Sequence, residues 1–182
     1  MKIIKTDVND LIVIEPNVFG DHRGWFSESY NHEMFKQNKI YITFIQDNHS
    51  FSAQKGVLRG LHFQNHPKAQ TKLVRCTRGR IWDVAVDLRK SSSTYLKWFG
   101  IEITAENHKM LLVPKGFAHG FITLEDNCEV QYKVDNVYDK SSDRSIKYND
   151  PEIGIAWPKI ELVLSDKDKN APLLRDSDVN FI

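Results

Sequence analysis

Seven histidines stand in the chain: His22, His32, His49, His62, His66, His108 and His119. Imidazole trades protons near neutral pH and is also the commonest metal ligand. His62 closes the run Val57-Leu58-Arg59-Gly60-Leu61-His62, whose alternation sends Leu58, Gly60 and His62 to one face. A lone histidine on an apolar strand is ordinarily a hydrogen-bonded structural residue. Its company makes His62 a candidate base. Lys72, Tyr132 and His119 also fall on, or at the mouth of, faces expected to point inward. An imidazole, an ammonium and a phenol are the parts needed to take a proton from carbon beside a carbonyl. The imidazole removes it, the ammonium steadies the enolate oxygen, and the phenol returns a proton from the other side. Arg23 and Arg59 are planar donors suited to phosphate, although most arginines are surface cations. Phe19, Phe26 and Tyr138 have flat faces for a ligand, but sequence alone favours the core for them.

A metal site is the rival use of the histidines. Pro114-Lys115-Gly116-Phe117-Ala118-His119 resembles the second metal motif of cupin barrels. The first such motif needs two histidines one residue apart on a strand, plus a glutamate. The corresponding stretch is His62-Phe63-Gln64. Positions 62 and 64 share a strand face, and a neutral amide is a poor substitute for imidazole on a transition metal. The expectation is no metal and no cofactor.

The elements that must position these groups are strands. Ile81–Leu88 alternates: Trp82, Val84, Val86 and Leu88 take one face, Ile81, Asp83, Ala85 and Asp87 the other. Cys128–Val134 does the same with Cys128, Val130, Tyr132 and Val134. Tyr41–Gln46, Gly56–Phe63, Lys72–Cys76 and Trp98–Ile103 also read as strands, separated by turn signals at Arg78-Gly79, Pro114-Lys115-Gly116 and Asp126-Asn127. Helical signal is confined to two short turns. Asn31 is placed to cap Glu33–Gln37, and Ser165-Asp166-Lys167-Asp168 reads as a capping box. Many short strands predict an all-β antiparallel sandwich or barrel with a ligand site in its mouth.

Composition narrows the function. The chain has 182 residues, suiting one domain over 1–182, with no internal repeat or low-complexity segment. A formal net charge of +1 argues against nucleic acid, which needs a basic surplus. Aromatic residues at 11% favour strands and stacking surfaces. No apolar run reaches the length of a membrane span, and Met1–Asp7 lacks the apolar core of a signal peptide. Cys76 and Cys128 cannot build a disulfide framework and read as reduced, partly buried thiols in a cytoplasmic protein.

An ordered set of segments closely resembles the dTDP-4-dehydrorhamnose 3,5-epimerase family, the dTDP-sugar epimerases of the cupin superfamily. The segments are 18–30, 46–50, 57–64, 72–76, 113–121, Tyr132-Lys133, 149–158 and 164–168. The likeness runs from about residue 3 to about residue 174. It implies a jelly-roll barrel, a homodimer with strands exchanged across the interface, and no metal. It also implies action on dTDP-4-dehydro-6-deoxy-D-glucose as the third step of dTDP-L-rhamnose synthesis. Carried over by position, His62 resembles the base, Asp168 its partner carboxylate, Tyr132 the general acid and Lys72 the enolate stabiliser. Arg23, Glu28, Gln46, Asp47, Asn48, Arg59, His119, Asp143 and Lys167 resemble substrate contacts, with Phe19 and Phe26 beside them, and Tyr138 resembles the thymine-stacking ring. The chain departs from the family pattern at His22 (usually acidic), at Asp143 (commonly Glu) and at Gln70-Thr71 (commonly Gly). Alternatives are a related dTDP-keto-sugar 5-epimerase, a 3,4-ketoisomerase, a metal-dependent cupin oxygenase, or a non-catalytic sugar-nucleotide-binding cupin.

Overall fold

A computed structural model describes residues 1–182. In chain order the strands are β1 (Lys2–Lys5), β2 (Ile12–Glu15), β3 (Val18–Asp21), β4 (Gly24–Ser27), β5 (Gln46–Ser52), β6 (Val57–Gln64) and β7 (Lys72–Arg78). They continue with β8 (Arg80–Asp87), β9 (Trp98–Thr104), β10 (Met110–Val113), β11 (Phe117–Thr123), β12 (Cys128–Val134), β13 (Asp143–Ser145) and β14 (Val163–Leu164). Two short helices, α1 (His32–Gln37) and α2 (Asp166–Lys169), lie outside the sheets. One sheet runs β1-β2-β10-β7-β12-β5, and the facing sheet runs β13-β6-β11-β8-β9 with β14 beside β6. All pairings are antiparallel except β14 on β6. Two facing antiparallel sheets are the barrel expected from the strand pattern, in the cupin-type jelly-roll form that the family resemblance implies.

The core between the sheets is built from Val74, Cys76, Ile81, Ala85, Leu111, Val113, Phe117, Phe121, Cys128 and Val130. Each alternates with an outward neighbour, as a strand requires. Along β7, therefore, Lys72 shares the inward face of Val74 and Cys76, and along β12 Tyr132 shares that of Val130 and Cys128. The outer faces are covered as well. Phe35 of α1 and Ile40 pack on Ile14, Leu73, Met110 and Leu112 outside the first sheet. Outside the second, Ile146, Ile153, Leu174 and Phe181 from the C-terminal segment pack on Leu61, Phe63, Val84, Val86 and Leu88.

Both helix caps form where the sequence puts them. Asn31 Oδ1 accepts from the backbone N–H groups of Glu33 and Met34, and Ser165 Oγ accepts from that of Asp168. Three expectations change. Tyr41–Ile45 is irregular, and the strand begins at Gln46 and runs to Ser52. The alternation of β8 is present, but the face bearing Asp83 and Asp87 is also buried. Ile81 and Ala85 on that face join the inter-sheet core, while Trp82, Val84, Val86 and Leu88 pack beneath the C-terminal segment.

The third change is on β6. His119 pairs with His62 but Phe121 pairs with Arg59, so Gly60 and Leu61 of β6 stand against the single Gly120 of β11. This bulge breaks the period-two pattern. Arg59, not Leu58, shares the inward face with His62. The bulge needs glycine on both strands. A Cβ on Gly60 would lie 2.6 Å from Gly120 Cα, and one on Gly120 would lie 2.9 Å from the Arg59 carbonyl oxygen.

Candidate active site

One mouth of the barrel holds two adjoining clefts, of about 650 and 270 Å³, and His62, Lys72, Tyr132 and Lys167 line both. His62 projects from β6 of one sheet, Lys72 and Tyr132 from β7 and β12 of the other. The base candidate thus faces the acid candidate and the cation across the opening. Lys72 Nζ lies 5.9 Å from the Tyr132 ring centre.

His62 Nε2 is 2.6 Å from Asp168 Oδ1. Asp168 is buried, which on its own raises the pKa of its carboxyl. The hydrogen bond and charge of His62, with the Ser165 hydroxyl and Lys167, outweigh that and hold it below the usual range. An ionised carboxylate only accepts hydrogen bonds, so Nε2 carries the proton and Nδ1 of a neutral ring keeps its lone pair. Asp168 Oδ2 accepts from Ser165 Oγ at 2.8 Å. The residue is therefore both the helix-capping acid and the histidine's partner.

Burial lowers the Lys72 pKa to about 8, because an ammonium loses hydration inside the barrel; Asp143 and Asp83 oppose the shift and Lys167 adds to it. Burial likewise raises the Tyr132 phenol, opposed by Arg59, so it is protonated and able to donate at neutral pH. Arg59 spends Nε on Ser52 Oγ and one Nη2 bond on the Phe51 carbonyl, and the rest of its guanidinium edge is free for an anion. Lys167 Nζ meets Asp143 Oδ2 at 2.5 Å, joining α2 to β13 over the opening. Gln46, Asn48 and Tyr138 line the smaller cleft, and His119 the larger.

Five of the expected contacts lie elsewhere in the single chain. Phe19, Arg23 and Phe26 sit on the β3–β4 hairpin, which pairs with no other strand. Phe19 and Phe26 are 62% and 65% exposed, so the core expected for them is not where they are. Arg23 is held by Asp21 in a two-pronged pair. Glu28 follows the hairpin and accepts from Asn31 Nδ2. Asp47 faces away from the cleft, paired with Lys133 on the outer side of the first sheet.

Sequence reading missed Asp83. Its Oδ1 lies 2.7 Å from His119 Nε2, making a second histidine–carboxylate pair fully inside the barrel. An inward Asp on β8 diagonal to a His on β11 was the available signal, but it needed the strand register, which sets His119 opposite Ala85 and Asp83 opposite Phe121. No group of three or more His, Cys, Asp or Glu side chains converges to hold a metal. Gln64 has its amide committed to the Lys68 and Val137 carbonyls and to the Asp139 N–H.

A family model described as dTDP-4-dehydrorhamnose 3,5-epimerase matches residues 5–176. The chain belongs to the dTDP-4-dehydrorhamnose 3,5-epimerase family. The epimerase of that name from Shigella flexneri is 50% identical over 179 residues, covering 98% of each chain. That of Salmonella typhimurium is 53% identical over 176 residues and 96% of each. Among solved structures, the Bacillus anthracis epimerase with TDP and pyrophosphate bound aligns with a TM-score of 0.93 at 50% identity, over 95% of this chain and 99% of that one. A Legionella pneumophila epimerase in complex with dTDP-4-keto-L-rhamnose gives 0.93 at 43% identity, over 97% and 94%. As a member of the 3,5-epimerase family the chain is an isomerase.

Proposed function

We propose that this protein epimerises carbons 3 and 5 of dTDP-4-dehydro-6-deoxy-D-glucose, giving dTDP-4-dehydro-L-rhamnose for dTDP-L-rhamnose synthesis. The observation that carries this reading is the opposition of His62 to Lys72 and Tyr132 across one cleft. The keto group at carbon 4 acidifies the hydrogens on both neighbouring carbons. His62 Nδ1 takes a proton from carbon, and the electron pair moves to the ketone oxygen as an enolate. Asp168 orients the ring and stabilises the imidazolium. The Lys72 ammonium gains interaction energy as the oxygen becomes negative, so it lowers the barrier more than it tightens binding. Tyr132 donates its phenol proton to the opposite face of the same carbon, and inversion is complete. Arg59 binds the diphosphate and Tyr138 stacks on thymine, with Gln46, Asn48, His119, Asp143 and Lys167 around the sugar nucleotide. No step runs through a metal or cofactor.

The reading includes a single domain over 1–182 acting as a homodimer. The exposed hairpin supports the second part: Phe19, Arg23 and Phe26, with Glu28 behind them, are free to complete a second copy's site, where the diphosphate replaces Asp21 on Arg23. Free buried thiols at Cys76 and Cys128 support a reducing, cytoplasmic location, and no helix is long and apolar enough to cross a membrane.

Proton NMR of the dTDP-keto-sugar in deuterated water tests the function. Solvent exchange at carbons 3 and 5, with the L-sugar trapped by coupled reduction, is expected. Exchange at one carbon alone marks a mono-epimerase, and exchange at neither overturns the proposal. Tyr132→Phe is expected to keep exchange at carbon 5 better than inversion; equal loss of both removes the acid role.

A further inference from the structure

Tyr138 rides on the irregular segment between β12 and β13, and the residue is 59% exposed. A stacking platform on such a loop needs its backbone fixed from outside, because the loop has no ladder of its own. Three glutamine side chains fix it. Gln46 Oε1 accepts from the Tyr138 N–H at 3.3 Å, and Gln70 Nε2 donates to the Asn136 carbonyl at 2.8 Å. Gln64 does more. Its Nε2 donates to the Val137 carbonyl at 3.2 Å and to the Lys68 carbonyl at 2.6 Å, and its Oε1 accepts from the Asp139 N–H at 2.8 Å. One buried amide thus closes the peptide groups on both sides of Tyr138. The same residue lies two positions beyond His62 on β6 and pairs with Asp143 of β13.

We infer that Gln64 is a positioning residue for nucleotide recognition, setting the height of the Tyr138 ring relative to His62. The inference rests on the reading of Tyr138 as the thymine platform. The amide is required by its chemistry: it donates through nitrogen and accepts through oxygen at once, whereas a carboxylate only accepts. Gln64 therefore has a task at the position where a metal-binding cupin carries a ligand. Its side chain reaches the nucleotide loop and not the reacting carbons, so its effect falls on binding and not on the chemical step.

Gln64→Glu keeps the shape and turns both donor bonds into oxygen–oxygen contacts. The dissociation constant of dTDP, read by titration calorimetry, and KM for the dTDP-keto-sugar are both expected to rise about tenfold or more, with kcat at saturation little changed. Because Gln64 acts through Tyr138, Gln64→Glu combined with Tyr138→Ala binds dTDP no more weakly than Tyr138→Ala alone. Unchanged dTDP affinity, a loss confined to kcat, or additive penalties overturn the inference. If a thermal melt shows that the buried Glu prevents folding, Gln64→Met removes the same bonds without a charge and is judged by the same affinities. A wild-type protein that fails to bind dTDP overturns the functional reading and this inference together, and that result is visible before any substitution is made.

Discussion

His62–Asp168 and His119–Asp83 are one chemical pair used twice. The two histidines sit in register on β6 and β11, and each holds its carboxylate through Nε2, at 2.6 and 2.7 Å. Their surroundings differ. The His62 side chain is 30% exposed at the cleft, and its carboxylate comes from α2, a separate segment that also caps itself with Ser165. The His119 side chain is 8% exposed, its carboxylate 0%, and both stand on neighbouring strands of one sheet. Asp168 has both oxygens engaged, whereas Asp83 Oδ2 has no partner. The lesson is that a histidine–aspartate pair is not in itself a base. Access to the cleft and a fully satisfied carboxylate suit the first pair to proton transfer. Enclosure suits the second to a fixed, structural contact in the cleft wall.

The largest expected effect tests that division directly. His62→Asn is expected to lower kcat by about two to four powers of ten while leaving dTDP affinity close to wild type. A near-normal rate removes His62 from the chemistry and makes the two pairs equivalent. Next comes the carboxylate comparison. Asp168→Asn is expected to cost about two powers of ten or more in kcat by releasing the ring's tautomer and orientation. Asp83→Asn is expected to cost less than about tenfold. Asp83→Ala, which leaves a buried His119 unpaired, is expected to lower Tm by roughly 3–10 °C. Equal kcat losses at Asp83 and Asp168 break the comparison.

The smallest expected effect is in the pH profile. In the proposed mechanism Lys72 holds the enolate as a cation, so kcat/KM is expected to fall as pH rises through about 8. Lys72→Arg, whose guanidinium keeps its charge, is expected to remove that alkaline limb whatever its rate. Asp143→Asn is expected to move the limb to lower pH, since Asp143 opposes the depression. The stability consequence has the opposite sign. Between about 8 and 10.5 the unfolded chain binds the proton that the folded one has lost, so Lys72 makes stability rise with pH across that window. An alkaline limb unchanged in Lys72→Arg assigns it to another group.

Local sequence signals determined much of this protein. The alternation in Cys128–Val134 sets that strand and its Tyr132 face, because the side-chain period of a strand is two wherever it is regular. Asn31 and Ser165 announce the two helix starts, because a cap is a contact within three residues. The family motifs lie in the sequence itself and carry His62, Lys72, Tyr132 and Asp168. The tertiary structure alone decided which strand faces work. Alternation places Asp83 opposite Val84, but both faces of β8 are covered, so period two cannot say which one lines the barrel. It also fails at Leu58-Arg59-Gly60, where the bulge arises from the close approach of Gly60 to Gly120 on another strand. His62 meets Asp168 across 106 positions of chain, and Gln64 meets Val137 across 73. Such contacts depend on how two sheets and a C-terminal segment pack, and no local pattern encodes that packing.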